Sequence, residues 1–417
     1  MRLLFVLLFW CFYAVSGAAQ PLPSPSPLFE GYVDLNTAEQ RDTYREILAR
    51  RAAAGDGNAA FLCGIDGVVR ASEVIVRQGL PLAATLDYLS TSPVFGLLEH
   101  DAFADADPET REALLHLLED APFAAFIDDV AAHLENGRAC LAAAPHAPIT
   151  MLADLSKLRT DVDGDGLLDE PATPLADLLE QMASATGDLP TTFVFDRTDG
   201  YWLEAYLNAT LAPLRMLQAF DHGETREILR DLIRRDYDPV FLDGRGRWWS
   251  LRDALSISAL VSIRWPLTDA EAHGRMIDHL KAVPDLGRRT WLAAMEETDD
   301  RLEWLPGPGQ TSPFSSAMGG GFENDTDSVQ LWLDTLGDAE AILDGSALIP
   351  MRYVGLRETH GLNMASYIGQ QTRFDLGMIL TARDLLDHIE EGPVLTRRQT
   401  DNLGDLTLMF LSMGLFR

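Results

Sequence analysis

Asn58 to Gln78 reads NAAFLCGIDGVVRASEVIVRQ, a proline-free, strongly apolar stretch that carries Cys63. It predicts a well-buried helix, and the same helical patterning extends outward on both sides. Upstream, Thr37 caps a helix running to about Ala54, with Tyr44, Ile47 and Leu48 on one face. Downstream, Pro81 to His100 reads as two short helices broken at Ser92-Pro93. Asp107-Pro108 is a capping residue followed by a first-turn proline, and it starts a helix to Asp120 with Leu114, Leu115 and Leu118 inward. Pro122 to Ala144 continues the pattern and carries Cys140.

Beyond residue 174 the pattern resumes. Helices are expected at Leu175 to Ala185, Asp199 to Phe220, His222 to Asp236, Ser250 to Ile263, Asp269 to Val283 and Pro284 to Thr298. Further helices run from Val329 to about Leu343, from Leu376 to Glu390 and from Asp405 to Leu415. Pro213 should kink or split its helix, because proline lacks the N–H and clashes with the preceding turn. Short β-like runs occur at Thr191 to Phe195, Ile349 to Val354 and Asn363 to Ile368, and Leu305 to Thr326 is a long irregular loop. The fold class is therefore mainly α: a helical array or bundle with at most a small accessory β-sheet. No repeat of fixed period appears.

One segment breaks the helical pattern for a chemical reason. Leu158 to Pro171 reads LRTDVDGDGLLDEP, with Asp161, Asp163 and Asp165 alternating, then Gly166 and Asp169. Calcium takes six to eight oxygens, and alternating carboxylates in a turn opened by glycine supply several of them. Counting Asp161 as position 1, Leu167 offers its carbonyl at position 7, Leu168 is an apolar anchor and Asp169 is position 9. The segment resembles the loops of EF-hands, dockerins and thrombospondin type 3 repeats. It departs from them at position 12, where the bidentate Glu is replaced by Ala172. Glu170, Asp177, Asp154 or water must then complete the shell. The expected cofactor is one structural Ca2+ held by Asp161, Asp163, Asp165, Leu167 and Asp169, pinning the loop between Pro145 and Pro174; the competing reading is a solvated acidic turn.

Composition narrows the partners. The 417 residues contain 64 Asp+Glu against 33 Lys+Arg, a net charge of -31, which leaves no basic stripe for nucleic acid and no attraction to anionic lipid. Only Lys157 and Lys281 are lysines; with abundant Ala, that bias reads as a GC-rich bacterial ancestry rather than a mechanism. At the N-terminus, Arg2, the apolar run Leu3 to Val15 and Ser16-Gly17-Ala18-Ala19 pattern a secretory signal peptide over 1-19. QPLPSPSP follows as a proline-rich tether over 20-27, then a helix-rich region over 28-417 with a possible subdivision near residue 190. The expectation is an exported, acidic protein, periplasmic or extracellular, with no membrane insertion after signal cleavage. In an oxidising compartment Cys63 and Cys140 are a candidate disulfide.

The second acidic constellation is Glu297-Thr298-Asp299-Asp300, followed by Glu303-Trp304. Glu297, Asp299, Asp300 and Glu303 beside a tryptophan suit a general acid and base against a sugar-stacking face; the plainer reading is an acidic helix end with a half-buried Trp. Asp199 and Glu204, near Tyr201 and Trp202, offer a further carboxylate, unless Asp199 is a helix cap. His273 and His279 stand about 120° apart around a helix and cannot readily share an ion. No H-E-x-x-H or G-x-S-x-G occurs.

Three segments together resemble a family of uncharacterised exported bacterial proteins: Leu158-Arg159 through Gly166; Asp199-Gly200-Tyr201-Trp202-Leu203 with Ala205-Tyr206; and Glu297-Thr298-Asp299-Asp300 with Glu303-Trp304-Leu305-Pro306, Pro308 and Gln310-Thr311. The resemblance implies that the acidic loop and the Glu297 to Thr311 segment belong to one architecture. It implies no activity. The sequence thus points first to a calcium-stabilised exported protein with a binding or structural role, and second to a secreted carboxylate-dependent hydrolase acting on glycans.

Overall fold

The computed structural model describes residues 24–77, 108–171, 191–234, 240–242, 248–250, 263–298, 302–308, 310, 326–351, 359–376 and 383–403. The signal segment, most of the tether, the helices expected at 81–100, 175–185, 251–262 and 405–415, and residues Ala172, Asp177, Asp299 and Asp300 lie outside them.

Helices dominate the described residues. The first three are α1 (Pro27–Val33), α2 (Ala38–Ala53) and α3 (Gly57–Arg77). Thr37 caps α2 by accepting the Gln40 N–H. After α4 (Pro108–Leu117) comes α5 (Asp120–Ala143), which packs along α3. The two backbones meet where side chains vanish: a Cβ on Gly67 would lie 2.7 Å from the His133 carbonyl and 3.0 Å from the Gly137 Cα. At this crossing Cys63 and Cys140 are joined by a disulfide.

The chain then turns extended. Strand β1 (Met151–Asp154) leads through a 3-10 turn to β2 (Arg159–Thr160), which pairs antiparallel with β3 (Glu170–Pro171) and closes the acidic loop as a hairpin. Strand β4 (Thr192–Phe195) returns beside β1 with Met151 opposite Phe195. It feeds α6 (Arg197–Ala219), followed by α7 (Gly223–Arg234), the β5 (Val240–Leu242) and β6 (Trp248–Ser250) pair, β7 (Arg264–Pro266) and α8 (Ala270–Glu296). The C-terminal part has α9 (Thr326–Asp344), β8 (Ile349–Pro350), β9 (His360–Leu362), α10 (Met364–Gly369), β10 (Arg373–Asp375) and β11 (Ile389–Glu391). The sheets have two or three strands each, and the largest has order β11-β9-β8.

The main core runs from Phe29, Leu48, Phe61 and Leu62 through Leu134 and Met151 to Phe193, Leu207, Leu211 and Val329. Helices α6 and α8 pack along each other, and α5 lies against α6. Among the described residues no helix is long and apolar enough to cross a membrane.

Several local expectations need correction. Pro213 and Pro284 both lie inside continuous helices. Proline forfeits one hydrogen bond, but burial of Leu207, Leu211 and Ala212 on one helix and of Leu286, Trp291 and Ala294 on the other keeps each helix from splitting there. Asn363 to Ile368 is not a strand: Asn363 accepts the Ser366 N–H and starts α10. Leu376 is helical, as expected, and 377–382 lie outside the described residues; from residue 383 the stretch is turn, a 3-10 turn at Leu386–His388 and the start of β11 rather than a continued helix.

Candidate functional site

The acidic loop is built as its pattern requires. Gly164 and Gly166 have φ of 80° and 87°, a left-handed backbone that favours glycine. Each aspartate orders the chain ahead of it: Asp161 Oδ1 accepts from Gly166 N (3.3 Å), Asp163 Oδ1 from Asp165 N (3.1 Å) and Asp165 Oδ1 from Leu167 N (2.8 Å). One carboxylate oxygen from each of Asp161, Asp163 and Asp165 lies within 4.8 Å of the others. Asp163, Asp165 and Asp169 are exposed, while Asp161 is buried. Leu168 is buried as an anchor.

The loop is held to the start of α2. Leu167 forms a β-bridge with Thr37, made by Leu168 N to Asn36 O (3.0 Å) and Ala38 N to Gly166 O (2.9 Å). These bonds do not use the Leu167 carbonyl, the expected ligand at position 7. Helix α3 supplies two further contacts that no local pattern announces. Glu73 accepts the Asp161 N–H (2.8 Å) and is itself paired with Arg41 of α2, both being buried. Arg77 donates to the Asp161 carbonyl and pairs with Asp161 Oδ2 at 3.2 Å. Of the proposed ligands completing the shell, Asp154 is committed elsewhere, accepting from Ser156 and Thr191. The loop's oxygen-only donor set fits a hard cation, and its turn is already formed around the position such an ion takes.

The second constellation assembles differently from its sequence. Glu297 and Glu303 do come together, but their partner is Asp196. One oxygen from each of the three lies within 4.8 Å of the others. Asp196, not Asp199, caps α6, accepting from Thr198 N (2.7 Å) and Asp199 N; Asp199 reciprocates by accepting the Asp196 N–H at 2.9 Å. This is a capping box with Asp at its third helical position, and Asp196-x-x-Asp199 was its signal in the sequence. Glu297 also accepts from Thr198 Oγ1 and, at 3.3 Å, from Gln310 Nε2. Burial, then the hydrogen bond to Asp196 and that residue's charge, push Glu297 up to about 9. Burial, then the charge of Asp196, carry Asp199 well above the usual carboxylate range.

Trp304 is only 5% exposed and meets Phe193 edge-on with centroids 4.9 Å apart, so it offers no open face for a sugar. Glu204 stands apart from the cluster, half-buried in the field of Arg138 and Arg289. The two helix histidines also have separate surroundings: His279 bonds Asn208 (2.8 Å), and His273 lies against Phe220. No family model matches the chain, and no curated protein or solved structure matches it either.

Proposed function

We propose that this is an exported, acidic, helix-rich protein whose loop Asp161 to Asp169 binds one Ca2+, and that the ion serves structure in a protein with a binding or scaffolding role. The observation that carries the reading is the convergence of the Asp161, Asp163 and Asp165 oxygens within 4.8 Å on a turn opened by Gly164 and Gly166. The ion is a staple rather than a sensor. The loop is tied to α2 through Thr37 and to α3 through Glu73 and Arg77, so occupancy tightens three parts of the chain at once. Arg77 already neutralises part of the Asp161 charge, and together with the replaced twelfth position this sets a weak affinity, in the range suited to extracellular calcium.

The test is thermal unfolding with and without calcium. A ligand at about 100 times its Kd adds about 2.7 kcal/mol to the folded state. Calcium should therefore raise Tm by several degrees, and Asp163→Ala should abolish the rise. A melting curve indifferent to calcium in the unsubstituted protein removes the reading.

A further inference from the structure

The carboxylates at the head of α6 are the strongest feature that the aspartate loop leaves unexplained. They come from three separated stretches, residue 196 before α6, residue 297 after α8 and residue 303 beyond it, so their meeting is a product of the fold and not of a local acidic run. Glu303 is 3% exposed and is set beside β4 by a bridge to Val194, after Leu302 takes a φ of 60° that leucine rarely adopts. Asp196 and Glu297 are half-buried.

Beneath them, Asp199 is 1% exposed. Its Oδ2 takes the Asp196 N–H, while its Oδ1 is buried with no hydrogen-bond partner. The capping box joins Asp199 to Asp196, so this unpartnered oxygen belongs to the same helix head as the cluster. A buried, unpartnered carboxylate oxygen among three more carboxylates is the arrangement a cation resolves.

We propose that Asp196, Glu297 and Glu303, with Asp199 beneath them, form a second site that takes a hard divalent cation. Among the described residues the cluster holds oxygen donors and no thiolate or imidazole, which selects Ca2+, Mg2+ or Mn2+ over softer metals. Ca2+ bonds of about 2.3–2.6 Å place opposite ligand oxygens roughly 4.6–5.2 Å apart, and the three oxygens here lie within that reach of one another. Such an ion would join the start of α6 to the end of α8 and to the Glu303 segment.

The site is separable from the aspartate loop by counting ions. Equilibrium dialysis of the full chain against CaCl2, MgCl2 and MnCl2 in separate arms should give two equivalents of calcium for the unsubstituted protein. Asp163→Ala should leave one, Glu303→Gln should leave one, and the double variant none. Glu297→Gln removes one carboxylate oxygen from a half-buried position and should preserve the fold, checked by circular dichroism; it should weaken the surviving equivalent at least tenfold in the Asp163→Ala background. A folded Asp163→Ala protein that binds no ion in any arm overturns this site and leaves the loop reading intact. One equivalent that survives Asp163→Ala but is lost in Glu303→Gln supports this site and removes the loop reading. Undiminished binding in both Glu303→Gln and Glu297→Gln also overturns it.

Discussion

Replacing Glu297 by Gln in ion-free protein should remove a pH dependence that the carboxylate cluster builds into the fold. Glu297 titrates at about 9 in the folded chain against an ordinary 4.5. Between those values the folded chain holds a proton that the unfolded chain has released. Stability changes with pH in proportion to the protons bound unfolded minus those bound folded, and here that difference is negative. The contribution is therefore fully favourable below about pH 4.5 and is lost as pH rises toward about 9. One pH unit is worth about 1.4 kcal/mol per group, so the span from 4.5 to about pH 7 gives roughly 3 kcal/mol. Solvent reaching the half-buried carboxylate reduces this to about 2 kcal/mol. Gln keeps one oxygen to accept from Gln310 Nε2, can donate its amide N–H to Thr198 Oγ1, and has no charge to lose. Urea unfolding in a chelator at pH 4 and pH 7 reads the effect: the variant should match the unsubstituted protein at pH 4 and exceed it by about 2 kcal/mol at pH 7. The same gap at both pH values would refute the reasoning, because the benefit would then not come from the missing charge.

Three further perturbations test the frame around the two sites. Gly67→Ala puts a methyl against the His133 carbonyl and the Gly137 backbone, where neither can yield, and should cost about 3 kcal/mol by chemical denaturation. Arg41→Met strips Glu73 of its buried partner; the stranded carboxylate should cost about 3–5 kcal/mol, and because Glu73 also holds the Asp161 N–H, calcium should bind more weakly by titration. Replacing both Cys63 and Cys140 by Ser releases a bond between residues 77 apart, which in the chain-entropy description should lower stability by roughly 4 kcal/mol. Equal stability of that double variant and the oxidised protein would contradict it.

What the sequence disclosed follows the range of the interactions. Helix α2 and its Thr37 cap, the short strand β4 and the glycine-opened turn at Asp161 to Gly166 depend on neighbours within a few residues, and their pattern was readable. Arg77 and Glu73 lie 84 and 88 residues from the aspartate they hold, and nothing near either of them signals a loop contact. The carboxylate cluster divides in the same way. Glu297 and Glu303 stood out as acids beside a tryptophan, but Asp196 joins them only once α6 and α8 pack together. Trp304 looked like a surface platform because an acidic neighbourhood suggests exposure; Phe193, Phe195 and Trp202 instead enclose it. Pro284 suggested a helix boundary, since one lost hydrogen bond is visible in sequence while the apolar face that outweighs it is not.

Helix α3 has one more consequence. Near its start Cys63 is bonded to α5, and at its far end Glu73 and Arg77 grip Asp161 at the start of the acidic loop; along the helix Cys63 and Arg77 are about 21 Å apart. It is a beam clamped at both ends, unable to slide a residue or roll about its axis without breaking a clamp. Under the calcium reading each clamp answers to a different solute, thiol reductant at one end and divalent cation at the other. Releasing either leaves a lever that still pivots on the remaining one. Releasing both sets the beam free, so reductant and chelator applied together should weaken the protein by more than the sum of their separate effects.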